Sequence, residues 1–115
     1  MQSELFEEIQ LNAERQAGYC RALGNPERVL ILWLLVEKEM TSSEIALTIK
    51  ASPQSTARHL NILSFNKLVE SRRDHQDVFY HIPDNEQTQK CLILQNKPKT
   101  LLTEVNQTKK EKSNV

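Results

Sequence analysis

The stretch of sequence that decides the fold is TSSEIALTIKASPQSTARHLNILSF, residues 41–65. Thr41, followed three residues later by Glu44, forms a capping box, so a helix is predicted to begin directly after Thr41. Ser52 is a good N-cap and Pro53 suits the first helical position, so another helix is predicted to begin there. Little more than a tight turn is left between the two. The stretch therefore predicts two short helices joined by a turn.

Two further helices are predicted before this stretch. In the first, apolar residues recur at steps of three and four, which is the spacing of one helix face. These residues are Leu5, Ile9, Ala13, Ala17 and Cys20. Gly24 ends that helix, and Asn25-Pro26-Glu27 supplies an N-cap, a first-turn proline and an acidic residue for the next one. This cap indicates that the apolar run at residues 29–36 is a buried helix and not a buried strand.

A hairpin and a last helix are predicted after this stretch. Two β-prone runs, residues 68–73 and 78–82, flank a polar segment at residues 74–77. This pattern is typical of a β-hairpin. A final helix is predicted from Asn85 to about Lys97, after the break made by a Pro-Asp pair.

The fourth helix, which begins after Ser52, is expected to bury one apolar face. Its buried positions are predicted to be Ala57, Leu60 and Leu63, with Ile62 or Phe65 beside them. Asn66 is predicted to end the helix in the left-handed conformation, which Asn adopts more readily than most other non-glycine residues.

These elements together predict a mainly α fold, a winged helix-turn-helix of about five helices with a two-stranded β-hairpin as the wing. The length of 115 residues matches one domain of ordinary size. Residues 1–97 are expected to form that domain. Residues 98–115, which begin with Pro98, are expected to form a polar, lysine-rich tail with at most a short helix followed by disorder.

Composition and charge narrow the class of protein. The chain is 38% hydrophobic and 26% charged, as soluble domains are, and no apolar run approaches the roughly 18 residues of a membrane span. The acidic N-terminus lacks the basic region of a secretion signal, so we expect a cytoplasmic protein with no membrane partner. The net charge is zero, which by itself counts against nucleic acid as a partner. Residues 1–24 carry four glutamates against two arginines, whereas residues 97–115 carry five lysines against two glutamates.

The chain resembles the ArsR family of dimeric bacterial and archaeal repressors. The matching segments are residues 21–32, 41–45, 52–63, 67–69 and 78–82. The resemblance covers about residues 20–83, and Ser-x-Gln-Ser-Thr-x-x-His-Leu from Ser52 is its most specific part. The chain departs from the family at Asn66-Lys67, where a Gly usually precedes Leu-Val, and at residues 74–77, where the wing tip often carries Gly.

The resemblance implies that the fourth helix is a recognition helix in the major groove of DNA, which its N-terminal turns would enter first. Gln can bond adenine and Arg can bond guanine at two points each, and Ser or Thr can bond either edge. The candidate DNA-binding residues on this helix are Ser52, Gln54, Ser55, Thr56, Arg58 and His59. On the wing they are Arg72, Arg73, His75 and Gln76, which suit phosphates or the minor groove.

A homodimer is expected from the surplus of apolar residues on the first and last helices, which form the dimer interface in proteins that the chain resembles. The candidate interface residues are Leu5, Ile9, Ala13, Ala17, Cys91, Leu92 and Leu94. Cys20 and Cys91 lie on these two helices, 71 positions apart. They are either small buried apolar side chains or a thiol sensor of oxidants, reactive sulfur or arsenite.

Many members of the family release DNA when they bind a metal ion, but the residues here argue against the usual metal sites. The family's thiolate motif lies on the third helix, where this chain has Thr41, Ser42 and Ser43, and hydroxyls do not replace thiolates for soft metals. The other common site uses Asp and His on the last helix, and no histidine follows His81. No cofactor is expected.

The predicted function is therefore that of a sequence-specific, double-stranded DNA-binding regulator, a repressor that binds a two-fold operator as a homodimer. Two alternatives remain open, a winged-helix module for protein–protein assembly that does not bind DNA and a thiol-sensing repressor. No catalytic constellation is evident, so an enzyme is not expected. The inducer and the operator are not specified by the sequence.

Overall fold

The computed structural model describes residues 2–99 and contains, within them, six helices and a small antiparallel sheet. The helices are α1 (Gln2–Leu23), α2 (Pro26–Glu37), α3 (Ser42–Ile49), α4 (Pro53–Phe65), α5 (Glu86–Gln89) and α6 (Leu92–Gln95). The strands are β1 (Met40–Thr41), β2 (Glu70–Asp74) and β3 (Asp77–His81). No helix among these residues is both long and apolar enough to cross a lipid bilayer. The predicted tail beyond Lys99 lies outside the described residues.

The predicted helix starts are confirmed by their caps. The Asn25 side chain accepts hydrogen bonds from the amides of Glu27 and Arg28 at 2.9 and 3.2 Å. The Thr41 hydroxyl accepts from the Glu44 amide, and the Glu44 carboxylate accepts from the Thr41 amide, each at 3.2 Å. These bonds satisfy amides that a helix leaves unpaired at its first turn.

The core lies between α2, α3 and α4. It contains side chains from all three helices and from the segments that flank the sheet. The fully buried members are Ile31, Leu32, Leu34, Ile45, Leu60, Leu63 and Leu68. The run at residues 29–36 is therefore a buried helix, as predicted. Two helices and a turn are thus fixed against one apolar core, which makes the helix-turn-helix a rigid unit.

The sheet has three strands and not the two predicted, in the order β1-β3-β2. The predicted hairpin forms, with Arg72 opposite Phe79 and Asp74 opposite Asp77. On the other side of β3, Met40 pairs with Tyr80. A two-residue strand carries no alternating pattern, so β1 was not visible in the sequence.

The final helix is broken in two, which corrects the prediction of one helix from Asn85 to about Lys97. Cys91 takes an extended conformation between α5 and α6 and is buried. The break also places the carbonyl of Ile93 2.8 Å from the Trp33 indole N–H, which donates to it. The sequence has no Gly or Pro at this break. Tertiary contacts with α2 override the local helical pattern there instead.

The burial of α4 differs from the prediction at Ala57, which is exposed. Of the two alternatives, Ile62 packs against the core and Phe65 is 87% exposed. The buried face instead includes Thr56 and His59. Helical geometry explains the shift, because Thr56 and His59 share a face with Leu60 and Leu63 at spacings of three, four and seven.

The left-handed residue after α4 is Lys67, not Asn66. Lys67 has φ of 60°, whereas Asn66 has φ of −90°. The backbone bond from Leu68 to Leu63 closes this turn at 3.0 Å. His75 at the wing tip also has positive φ, 59°. The two places where the chain lacks the Gly usual in similar proteins are therefore left-handed even with a side chain present.

Replacing Lys67 by Gly should raise the free energy of unfolding by about 0.5–1 kcal/mol, because Gly relieves the strain of a side chain in this conformation. Lys38→Gly is a matched control, since Lys38 is exposed and extended, with φ of −163°. It should lower the free energy of unfolding. Urea denaturation measures both, and a fall in both variants would contradict this interpretation.

Candidate nucleic-acid interface

The outer face of α4 carries a polar surface. Its exposed residues follow the helical spacing of three and four along one side. They are Gln54, Ala57, Arg58 and Asn61, which are here named the α4 face. The opposite side of the helix packs into the core through Leu60 and Leu63. The α4 face is therefore presented by a helix that cannot rotate without exposing its apolar side.

The candidate residues on this helix separate into two groups. Ser52, Gln54 and Arg58 are exposed, and Ser55 is half-buried. Thr56 and His59 were expected at the DNA surface, but the structure buries both, with Thr56 at 0% exposure. The Thr56 hydroxyl has no hydrogen-bond partner among the described residues. Neither side chain reaches the surface of α4 that faces solvent.

Two exposed residues at this surface were missed by the sequence analysis. Asn61 lies seven positions after Gln54 and three after Arg58, so the helical spacing itself was a sufficient signal. Lys50 is exposed in the turn between α3 and α4 and has a left-handed conformation, φ 59°. It supplies a positive charge beside the start of α4.

His59 belongs to a polar cluster at the junction of α1, α2 and α4. Its Nε2 atom lies 2.8 Å from the Glu27 carboxylate, and its Nδ1 atom lies 3.2 Å from Nη1 of Arg28. The Ser55 hydroxyl is 3.4 Å from Nε2. Arg28 also donates from Nε to the carbonyl of Ala22 at 2.6 Å and from Nη2 to the carbonyl of Arg21 at 3.2 Å.

On the wing, Arg72 is engaged within the chain. Its guanidinium donates through Nε and Nη2 to the Glu39 carboxylate and lies 5.0 Å from the centre of the Phe79 ring. The hydrogen bond from Arg72 holds the pKa of Glu39 below its ordinary value, and Glu39 correspondingly raises the pKa of Arg72. This pair therefore stays charged at neutral pH and fixes the base of the wing to the end of α2.

The other candidate wing residues are Arg73, His75 and Gln76, and all three are exposed. Arg73 lies on the strand face opposite to Arg72, because side chains alternate along a strand. Asp74 and Asp77 flank the tip, and Asp74 lies 3.7 Å from His75. The tip is therefore polar with charges of both signs.

The first helix is almost entirely exposed. Its N-terminal half presents large apolar side chains to solvent, with Leu5 58%, Phe6 65% and Ile9 58% exposed. Ala13 and Ala17 are also exposed, and only Ala22 of α1 is buried. Phe6 is a further apolar residue that the sequence analysis did not select.

The candidate dimer-interface residues after α5 differ in their burial. Leu92 is exposed, Cys91 is buried and Leu94 packs against the core. Cys20 and Cys91 line one cleft of about 630 Å³ between α1 and the α5–α6 segment. The cleft is also crossed by a hydrogen bond from the Gln87 amide to the Tyr19 hydroxyl at 2.9 Å.

The residues at the start of α3 do not fit the thiolate metal site of similar proteins. The Thr41 hydroxyl is engaged with Glu44, and the next two residues are serines. Over residues 2–99, no three His, Cys, Asp or Glu side chains lie close enough together to hold a metal ion.

Comparison with known proteins places this geometry in a family. The family of bacterial regulatory proteins called the arsR family matches residues 25–71. The nodulation protein NolR of Rhizobium meliloti is 39% identical over 69 residues, which are 60% of this chain and 57% of NolR. The HTH-type transcriptional regulator YgaV of Escherichia coli is 33% identical over 76 residues, 65% of this chain and 77% of YgaV.

A solved structure shows the same fold. The homodimeric winged helix-turn-helix DNA-binding domain of Mb0332 from Mycobacterium bovis is 25% identical, with a TM-score of 0.66 over 90% of this chain and 88% of that chain. The chain spans 55–57% of the length of the first three curated relatives that it matches. The chain therefore belongs to the arsR family of bacterial regulatory proteins and has the winged helix-turn-helix fold.

Proposed function

We propose that the chain is a repressor that binds a two-fold operator in duplex DNA as a homodimer and reads bases with the α4 face. One observation carries this proposal: the second helix of the motif is buried on one side and carries Gln54, Arg58 and Asn61 on the other. A rigid helix with outward amide and guanidinium groups has the chemistry of a major-groove reader.

The proposed contacts divide by role. Gln54 and Asn61 suit adenine, and Arg58 suits guanine. Ser52 and Ser55 lie at the first turn of α4, where the helix dipole favours phosphate. Lys50 lies beside this turn and is proposed to contact the same strand. Thr56 and His59 are proposed to support the helix from its buried side and not to contact DNA.

The wing is proposed to lie along the DNA backbone or in the minor groove. Arg73, His75 and Gln76 are free to reach DNA, since all three are exposed. Arg72 is proposed to position the wing through Glu39 and not to contact phosphate. Because Asp74 and Asp77 flank the tip and repel phosphate, the phosphate contact of the wing is proposed to come from Arg73.

The proposed dimer is built on α1. In a single chain the apolar side chains at positions 5, 6 and 9 would face water along two turns of the helix. A second copy would cover them through a self-complementary contact. Such a pair places two recognition helices about 34 Å apart, one turn of DNA. A dimer bound across a promoter would repress transcription by excluding the polymerase.

Replacing Arg58 by Ala should weaken binding to the preferred operator by about 1–3 kcal/mol and relax the sequence preference at one position of each half-site. The preferred operator is obtained by selecting bound duplexes from a random pool, and binding is measured by fluorescence anisotropy. Arg73→Ala is the matched control, since the lost phosphate contacts, one in each protomer, should weaken all sequences alike and reduce the salt slope by about two.

The result that would remove this face from consideration is unchanged binding by both Arg58→Ala and Gln54→Ala. In that case a winged-helix module for protein assembly is the better interpretation. The zero net charge favours that alternative, and the absence of salt-dependent binding to random duplex would support it.

The dimer is tested by Leu5→Asp and Ile9→Asp, each of which places a carboxylate in the proposed seam. Light scattering at micromolar concentration should give a mass of twice 13.3 kDa for the wild type and 13.3 kDa for each variant. Leu47→Asp is the matched control, because Leu47 is an exposed leucine on α3, away from α1. A wild-type mass of 13.3 kDa, with operator binding intact in both α1 variants, would end the dimer proposal.

A second candidate function, thiol sensing, is favoured by the cleft that Cys20 and Cys91 share. In this scheme an oxidant accepts two electrons and two protons from the pair of thiols, which join as a disulfide and pull α1 against the α5–α6 segment. Arsenite could instead bridge the same thiols. Since the proposed seam lies on α1, either event would alter the spacing of the two recognition helices.

The response to metal and to oxidation is tested by measuring operator affinity with zinc and with diamide, an oxidant of thiols. Zinc should leave the affinity unchanged, because the start of α3 carries hydroxyls and not thiolates. Diamide should weaken binding of the wild type but not of Cys20→Ser, with Cys91→Ser as the second variant. Stoichiometric zinc binding that abolishes operator binding would refute the first expectation, and equal diamide responses in all three proteins would refute the second.

A further inference from the structure

The buried side of the recognition helix holds a polar group that the proposed contacts with DNA do not use. His59 is 8% exposed and lies among groups from two other helices. These are Glu27 and Arg28 of α2 and, through Arg28, the carbonyl groups at the end of α1. A buried polar side chain is stable only where its polar atoms have hydrogen-bond partners.

The contacts of the ring define its protonation state. The guanidinium of Arg28 can only donate, so the Nδ1 atom of His59 must accept at 3.2 Å. The Nε2 atom then carries the hydrogen and donates to the Glu27 carboxylate at 2.8 Å. The neutral ring with hydrogen on Nε2 therefore satisfies every group in the cluster.

Arg28 extends these contacts to α1. Its Nε and Nη2 atoms donate to the carbonyls of Ala22 and Arg21, at 2.6 and 3.2 Å, in the last turn of α1. Carbonyl groups at a helix end lack partners within the helix, so a cation there is favourable. One guanidinium thus joins the recognition helix to the helix that carries the proposed dimer seam.

We propose that Arg28 and His59 form a joint that positions α4 relative to α1, and that the joint holds only while His59 is neutral. His59 is thus a positioning residue for DNA binding, and the inference rests on the proposed function. Protonation places a hydrogen on Nδ1 that points at the guanidinium, so a donor faces a donor and two positive charges come together. Arg28 then leaves the ring, and α4 loses this polar contact with the end of α1.

Two charged groups face the ring, the Arg28 guanidinium at Nδ1 and the Glu27 carboxylate at Nε2. The side chain of Glu27 is 47% exposed, so solvent screens its charge. Ser55, on α4 itself, is neutral and lies 3.4 Å from Nε2. Protonation therefore keeps the contact with Glu27 but breaks the one that leads to α1.

The joint is tested by the affinity for the selected operator at about pH 8 and about pH 5.5, which span the titration of an ordinary histidine. Wild-type binding should weaken about tenfold at the lower pH, the size of effect expected for a lost charged hydrogen bond. His59→Asn keeps an acceptor near the position of Nδ1 but does not titrate. It should bind at the higher pH as the wild type does and lose the pH dependence.

A histidine outside the proposed DNA contacts provides the control. His81→Gln, beside Glu39 and Glu70, should retain the full pH response. Arg28→Lys is the second variant, since one ammonium group cannot reach His59 and both carbonyls of α1. It should bind the operator about tenfold more weakly at the higher pH with an unchanged salt slope. Trp33 fluorescence confirms that each variant is folded.

Equal pH dependence in the wild type and His59→Asn, or wild-type affinity in folded Arg28→Lys, would overturn the joint while leaving the proposed function intact. Absence of wild-type binding to any duplex at the higher pH and low salt would overturn the proposed function and the joint with it.

Discussion

The packing of α4 against the core is the contact on which the rest of the structure depends. Leu60 and Leu63 are fully buried, and they fix the rotation of the helix about its own axis. Because side chains on a helix repeat every 3.6 residues, burying this side leaves Gln54, Arg58 and Asn61 outside. The surface proposed to read DNA is therefore set by apolar residues that would not themselves touch it.

Two polar contacts add to the packing of the apolar core. Arg28 and His59 link α4 to the end of α1, and the pair between Arg72 and Glu39 holds the wing to the end of α2. Both contacts use basic side chains, which residue type alone would assign to DNA phosphates. In a chain of zero net charge, these internal pairs leave few cations for DNA, and Lys50, Arg58, Lys67 and Arg73 are exposed in or beside the motif.

Residue type and local spacing in the sequence were sufficient to predict the main helices and the residues at which they begin. The Asn25, Thr41 and Ser52 caps are read directly from residue type and spacing, and all three are confirmed. The break at Cys91 and the pairing of Met40 with Tyr80 were not predictable, because each depends on groups distant in the chain. At the site, residue type placed Thr56 and His59 on the DNA surface, whereas their helical spacing from Leu60 and Leu63 predicts the burial that the structure shows.

The central claim is that two chains together neutralise DNA phosphates while the α4 face reads bases. Binding to the selected operator, measured over a range of salt concentrations, tests it most directly. With Lys50 and Arg73 of each protomer on phosphates, the account predicts a slope of log K against log salt of about −3 to −4. A slope near zero, or equal affinity for operator and random duplex at every salt concentration, would contradict it.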